Sequence, residues 1–285
     1  MAVVLVLISA FLHAAWNALL KREPNKDRML IAAVTFGALF ATVVAVARAR
    51  SSGTAPFPNA TAVGWALVAG ALEHFYFRGI ARALDAGPLA PVYTISRGGA
   101  VLVVYPLSVL LFGELVTVAS VIASALIVLG LVLSGVRSKT SSDTRPMTST
   151  AMSWATTCAV AIAGYHLAYK ASLSAGGASS AVFAVSMTFA STLNWVRTGA
   201  AGRRAILAFV RIAPVRVVAM GLLCGGSFLM LIEALASGGA GYALTLRNTS
   251  VLFAVGLAWA IGEPPKLWVV VGAALVAVGA IAMTL

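Results

Sequence analysis

Two arginines stand inside long apolar runs at matching places in the chain, Arg97 and Arg247, about 150 residues apart. A guanidinium can fork two hydrogen bonds to a carboxylate, phosphate or phosphonate, so a pair of them suits anion binding. Glu73 and His74 form a second candidate unit, a carboxyl beside an imidazole, the ring that changes charge near neutral pH; together they could carry a coupling proton. His13 and His166 are each followed three residues on by an aromatic ring, Trp16 and Tyr169, a spacing that shares one helix face. Tyr93 and Asn248 lie close in sequence to the two arginines and could help line a substrate pocket, as could Tyr76 and Tyr165. A packing alternative stands beside each of these readings. Arg97 could pair with Glu73 and Arg247 with Glu233, locking helices together, and the histidines and aromatics could be ordinary packing residues.

The remaining acids form no nucleophile–base or metal-ligand pattern, and no Walker-type glycine loop is present. The expectation is a protein that is not an enzyme and needs no cofactor or metal. The two cysteines, Cys158 and Cys224, lie within apolar runs and read as small packing residues.

The elements that must hold these groups are dictated by composition. The chain has 285 residues, 61% hydrophobic and 10% charged, with mean hydropathy +0.98. Soluble domains carry about 25% charged residues, so this chain cannot cover itself with a polar surface, and a bilayer is the solvent that suits it. The apolar runs are continuous rather than alternating, and in lipid the backbone must satisfy its own hydrogen bonds, so they read as helices. The pattern predicts an all-α membrane protein of ten transmembrane helices, at roughly 2–20, 29–47, 62–83, 89–112, 117–136, 151–171, 179–198, 215–236, 240–261 and 266–284. The segment 200–216 is basic and partly apolar, and reads either as a short helix in the headgroup layer or as a basic loop. A net charge of +12 would suggest nucleic acid in a soluble protein, but here the basic residues sit beside apolar segments as topology signals. No nucleic-acid partner is expected.

The hydrophobic unit is said twice. Ala83-Leu84-Asp85-Ala86-Gly87 and Ala234-Leu235-Ala236-Ser237-Gly238 each lead into a run carrying one Arg, then a Gly-Glu break (Gly113-Glu114, Gly262-Glu263), then a further Gly sixteen residues past the Glu (Gly130, Gly279). This divides the chain into a first five-helix repeat over 1–136, a linker over 137–150 and a second five-helix repeat over 151–285. Five is odd, so the second unit must enter the membrane inverted, and such folds put the substrate site near the midplane between the halves. Basic residues cluster after odd-numbered helices, from Lys21 and Arg22 to Arg216 and Lys266, which by the positive-inside rule puts both termini outside the cytoplasm.

The twofold Ala-Leu-x-x-Gly lead-in and the twofold Gly-Glu with its later Gly resemble the EamA-type branch of the drug/metabolite transporter superfamily, over nearly the whole chain. The stretch Leu12-His-Ala-Ala-Trp-Asn17 is similar to a subset found in phosphonate-use settings. The resemblance implies a multi-pass protein of the cell (inner) membrane, monomer or homodimer. It implies a secondary transporter moving a small anionic or zwitterionic metabolite (amino acid, organic acid or phosphonate-like) by alternating access. The alternatives are a lipid-linked headgroup flippase of the same fold and a broad-specificity metabolite or drug exporter. Two features depart from the family pattern. Its members usually carry cytoplasmic termini, and helix one here has His13 where small multidrug-resistance relatives carry an acid.

Overall fold

The computed structural model describes residues 2–53, 55–112, 116–136, 147–237 and 247–282. Among them it is all-helical, with eleven helices and no strand: α1 (Ala2–Arg22), α2 (Lys26–Ser52), α3 (Ala60–Ala86), α4 (Leu89–Phe112), α5 (Val118–Val136), α6 (Ser149–Ser174), α7 (Ser179–Val196), α8 (Ala200–Ile212), α9 (Pro214–Ser237), α10 (Ser250–Ala260) and α11 (Leu267–Ala282). Of the segment 200–216, residues 200–212 form a helix, α8, Ala213 caps it, and 214–216 open α9. Most of the expected linker, and the first Gly-Glu break, lie outside the described residues, as does the start of the expected helix 240–261. The last two residues of the expected linker, Ser149 and Thr150, already belong to α6. Thr148 caps α6, its Oγ1 accepting from Ala151 N at 3.0 Å and donating to Ala86 O at 3.0 Å.

By length and composition three helices could cross a bilayer, Val4–Arg22, Lys26–Ser52 and Pro214–Ala236; four further segments are apolar but shorter. The ten expected crossings are not all met by that measure. α3 carries Glu73, Arg78, Arg82 and Asp85, α6 and α7 are rich in Ser and Thr, and the described apolar segments of α4, α5, α10 and α11 are 10–17 residues long.

Packing repeats under exchange of the halves. α6 lies on α3 and α4, as α1 lies on α9 and α10; α3 lies on α7 as α2 lies on α9; α2 faces α7 and α5 faces α11. Glycines set the closest approaches. A Cβ on Gly130 would stand 2.5 Å from Gly272 O, and one on Gly279 would stand 2.7 Å from Ala123 O. Those two contacts run in opposite senses along the helices, so α5 and α11 pack antiparallel. Gly70 meets Ser186 O and Phe189 of α7, while Gly221 meets Ala33 O and Phe36 of α2. The same small-residue contact is thus made twice, by residues about 150 positions apart.

Gly130→Leu is expected to force α5 from α11 and lower the melting temperature of the detergent-solubilised protein, an overpacking cost of about 1–3 kcal/mol. Gly256→Ala at an exposed position of α10, where nothing lies within 4 Å of the added carbon, should leave it unchanged or slightly raised. Equal melting temperatures for Gly130→Leu and the wild type would contradict the close approach.

The two ends of the bundle differ. At one end Lys21 pairs with Glu263, Lys26 with Asp85, Arg216 with Glu23 and Arg197 with Asp27. Lys21 Nζ also donates to Leu84 O at 2.7 Å and Gly87 O at 2.6 Å, holding the last carbonyls of α3. Glu263 Oε2 accepts from Leu89 N at 3.0 Å at the start of α4, where a carboxylate suits the positive helix end. At the other end Arg48 pairs with Glu233, and Val6 near the start of α1 packs on Leu231 and Leu235.

Candidate functional site

The site is built around His13, which α1 carries into the centre of the bundle with no exposed surface. Asn17, one turn on, donates to the His13 carbonyl at 2.7 Å and keeps that turn in register. The imidazole is addressed from both sides. Arg97 Nη2 of α4 and the Tyr76 hydroxyl of α3, the latter at 3.0 Å, meet Nε2. Arg247 Nη2 at 2.9 Å and Trp16 Nε1 at 3.3 Å meet Nδ1, with Ser227 Oγ of α9 at 3.4 Å. Two arginines from opposite halves of the chain therefore converge on one ring.

That convergence cannot be satisfied internally. A neutral imidazole has one acceptor nitrogen and an imidazolium has none, so at most one guanidinium can be accepted at a time. Neither arginine is ion-paired among the described residues. Arg247 Nε and Nη1 are buried without a hydrogen-bond partner. Arg97 lies 5.8 Å over the Tyr93 ring and Arg247 lies 5.0 Å over the Phe228 ring. Ring faces ease a desolvated cation but do not neutralise it. Other polar atoms here are left open as well: the Tyr93 and Tyr165 hydroxyls and His166 Nε2.

Glu73 is buried on α3, three residues before Tyr76. Its Oε1 accepts from the Tyr169 hydroxyl, which also approaches Ser186 Oγ of α7 at 3.3 Å, while Oε2 has no partner. Tyr165 connects the two groups of residues. Its ring lies 5.6 Å from Tyr169, 5.8 Å from Tyr76 and 4.4 Å from His166. His166 Nδ1 meets Ile162 O at 2.7 Å, one turn back on α6. When Nδ1 is the donor there, Nε2 is left as an acceptor.

Nine of the twelve residues singled out from the sequence thus form one cluster: His13, Trp16, Tyr76, Tyr93, Arg97, Arg247, Glu73, Tyr165 and Tyr169. His166 joins it through the Tyr165 ring. His74 does not. Adjacent helical residues point about 100° apart, and His74 turns away from Glu73 toward Asn194 and Arg197. Asn248 is buried in the turn after Arg247, its carbonyl accepting from Val251 N at 3.0 Å, and its side chain enters none of the cluster's hydrogen bonds. The packing alternative fails in the form expected. Among the described residues no ion pair joins Arg97 to Glu73 or Arg247 to Glu233, and Glu233 instead meets Arg48 and Ser179 Oγ.

Phe228, Ser227 and Ser186 were not anticipated. One signal for Phe228 was present, since Phe77 and Phe228 each stand six residues before the repeated Ala-Leu. Their rings lie 6.1 Å apart in the core. The serines sit in small-residue runs and had no such marker.

No family model matches the chain, and no curated protein matches it. A solved crystal structure of a protein superposes with TM-score 0.63 at 19% identity, covering 99% of this chain and 96% of its own. At that identity the likeness shows a shared fold and carries no activity with it.

Proposed function

We propose that the chain is a multi-pass membrane transporter that moves a small anionic or zwitterionic metabolite by alternating access. The observation that carries this reading is the meeting of Arg97 and Arg247 on His13. Two desolvated guanidiniums, with more donors than the imidazole can accept, form a site that a carboxylate, phosphate or phosphonate would complete. Glu73, bonded to Tyr169 and open at Oε2, is the group assigned to the coupling proton. The resemblance to EamA-type transporters of the drug/metabolite superfamily stands in this reading as a proposal of the same kind.

The membrane placement is supported by three helices of spanning length and by large apolar side chains turned outward all along the bundle, among them Phe11, Leu39, Val43, Leu222 and Val278. In this reading α8 lies in the interface and the other ten helices cross as two inverted five-helix repeats. The antiparallel α5–α11 contact and the exchange symmetry of the packing favour inversion. Three of the ion pairs at the basic end, Lys21–Glu263, Arg216–Glu23 and Arg197–Asp27, join one repeat to the other. They would have to part when the halves rock and that end opens. The basic end is assigned to the cytoplasm and both termini to the opposite side.

The test is flux into proteoliposomes, using small carboxylates, phosphates and phosphonates as probes, with reporter fusions at the two termini. Saturable uptake or counterflow of at least one anion class, with both reporters active outside, is the expected result. Transport of cations alone, or of none of the probes by correctly folded protein, would defeat the substrate reading. Termini on the cytoplasmic side would reverse the orientation.

A further inference from the structure

The basic end carries a second polar concavity, apart from the central cluster. A groove of about 350 Å³ runs between the start of α2, the end of α3 and α8, and Asn25, Arg28, Arg82, Asp85, Gly202 and Ile206 are among the residues lining it. Its acids are already neutralised. Asp27 takes Arg197 at 2.6 Å and Asp85 takes Lys26 at 3.2 Å. Arg28 and Arg82 are exposed, and neither guanidinium has an ion pair or hydrogen bond among the described residues. The groove therefore presents two uncompensated guanidiniums to a ligand.

The wall formed by α8 narrows the class of ligand. Ile206 turns inward and is buried, while Arg203, Arg204, Leu207 and Arg211 share the exposed face, and the helix holds no acid. Its last residue, Ile212, and Val215 just beyond it are 82% and 78% exposed. Basic side chains beside protruding aliphatic ones are the pattern of a helix lying between headgroups and acyl chains. An occupant beside such a helix must offer a negative headgroup to the groove and apolar chains to the flank. An ammonium headgroup would find both nearby aspartates already paired.

We propose that the groove between α2, α3 and α8 holds the phosphodiester of an anionic phospholipid, with α8 lying in the headgroup layer beside it. The proposal rests on the membrane placement above, and not on what the central cluster binds.

The test uses the full chain in detergent, with phosphatidylglycerol and phosphatidylcholine added in turn and bound lipid read by native mass spectrometry. Phosphatidylglycerol is expected to be retained in preference to phosphatidylcholine. Arg28→Gln and Arg82→Gln should each weaken its retention about fivefold, and the double variant about 25-fold, the effect of removing one or two basic residues at an anionic surface. The charge-keeping pair Arg28→Lys with Arg82→Lys should bind nearly as the wild type, which separates lost charge from lost fold. Arg50→Gln, at the opposite end, should change nothing. Equal retention of the two lipids would overturn the proposal, as would undiminished binding by the double glutamine variant or equal weakening by Arg50→Gln. Displacement by glycerol phosphate at concentrations comparable to the lipid would assign a soluble phosphate ligand instead and overturn it too. Extraction of the chain from membranes by alkaline carbonate wash would mark a failure of the membrane reading itself.

Discussion

Replacing either central arginine by alanine is expected to reduce anion flux by on the order of 10²-fold, because truncating a desolvated, hydrogen-bonded charge costs about 2–5 kcal/mol of binding. Arg97→Lys and Arg247→Lys should recover only part of the loss, since an ammonium cannot fork to two oxygens. The same variants separate a binding site from a structural lock. A helix lock would lose stability when one partner is removed. Here the two guanidiniums share one imidazole, and among the described residues no carboxylate is paired to either, so Arg97→Met should melt no lower than the wild type without substrate, and higher if mutual repulsion dominates. Loss of flux with unchanged or raised melting temperature is the expected pair of results. Full flux in both alanine variants, or a large fall in melting temperature for the methionine variant, would remove the anion-site assignment.

Glu73→Gln is expected to abolish the response of uptake to an imposed proton gradient while sparing substrate counterflow. Glutamine keeps the shape and an oxygen to accept from Tyr169, but it cannot exchange a proton. Gradient-driven uptake should fall to the level seen without a gradient, because the substitution keeps the hydrogen bond and removes only the exchangeable proton. Tyr169→Phe removes the hydroxyl that donates to Oε1. It is expected to alter the pH profile of uptake rather than abolish it. Proton-driven uptake at wild-type rates in Glu73→Gln would show that the carboxyl serves packing, with the coupling carried elsewhere or absent.

Much of this arrangement was legible in residue order because it is a consequence of periodicity and solvent. Continuous apolar runs read as helices, and a recurring Ala-Leu-x-x-Gly with one arginine after it marks matching positions along the chain. Arg97 and Arg247 could be paired on that ground before any contact was known, and so could His13 with His166. Boundaries were less legible. α2 and α3 each extend further than expected, to Ser52 and Ala86, since polar residues at helix ends leave no hydrophobic trace. The reading of Glu73 with His74 as one unit went astray for a related reason: chain neighbours on a helix face different partners.

What the sequence determined by itself was the helical class, the recurrence of the Ala-Leu-x-x-Gly and Gly-Glu motifs, the asymmetry of charge between the ends and the short list of polar groups inside apolar runs. These follow from local chemistry and from the cost of putting a polar group in an apolar medium, which each segment meets on its own. Tertiary structure alone decided that both arginines meet on the same imidazole, that Glu73 turns to Tyr169 rather than to Arg97, and that Phe228 and Ser227 complete the cluster. Those outcomes depend on how far helices slide and rotate against one another. That is set by where glycines let backbones touch, and no single segment contains both sides of such a contact.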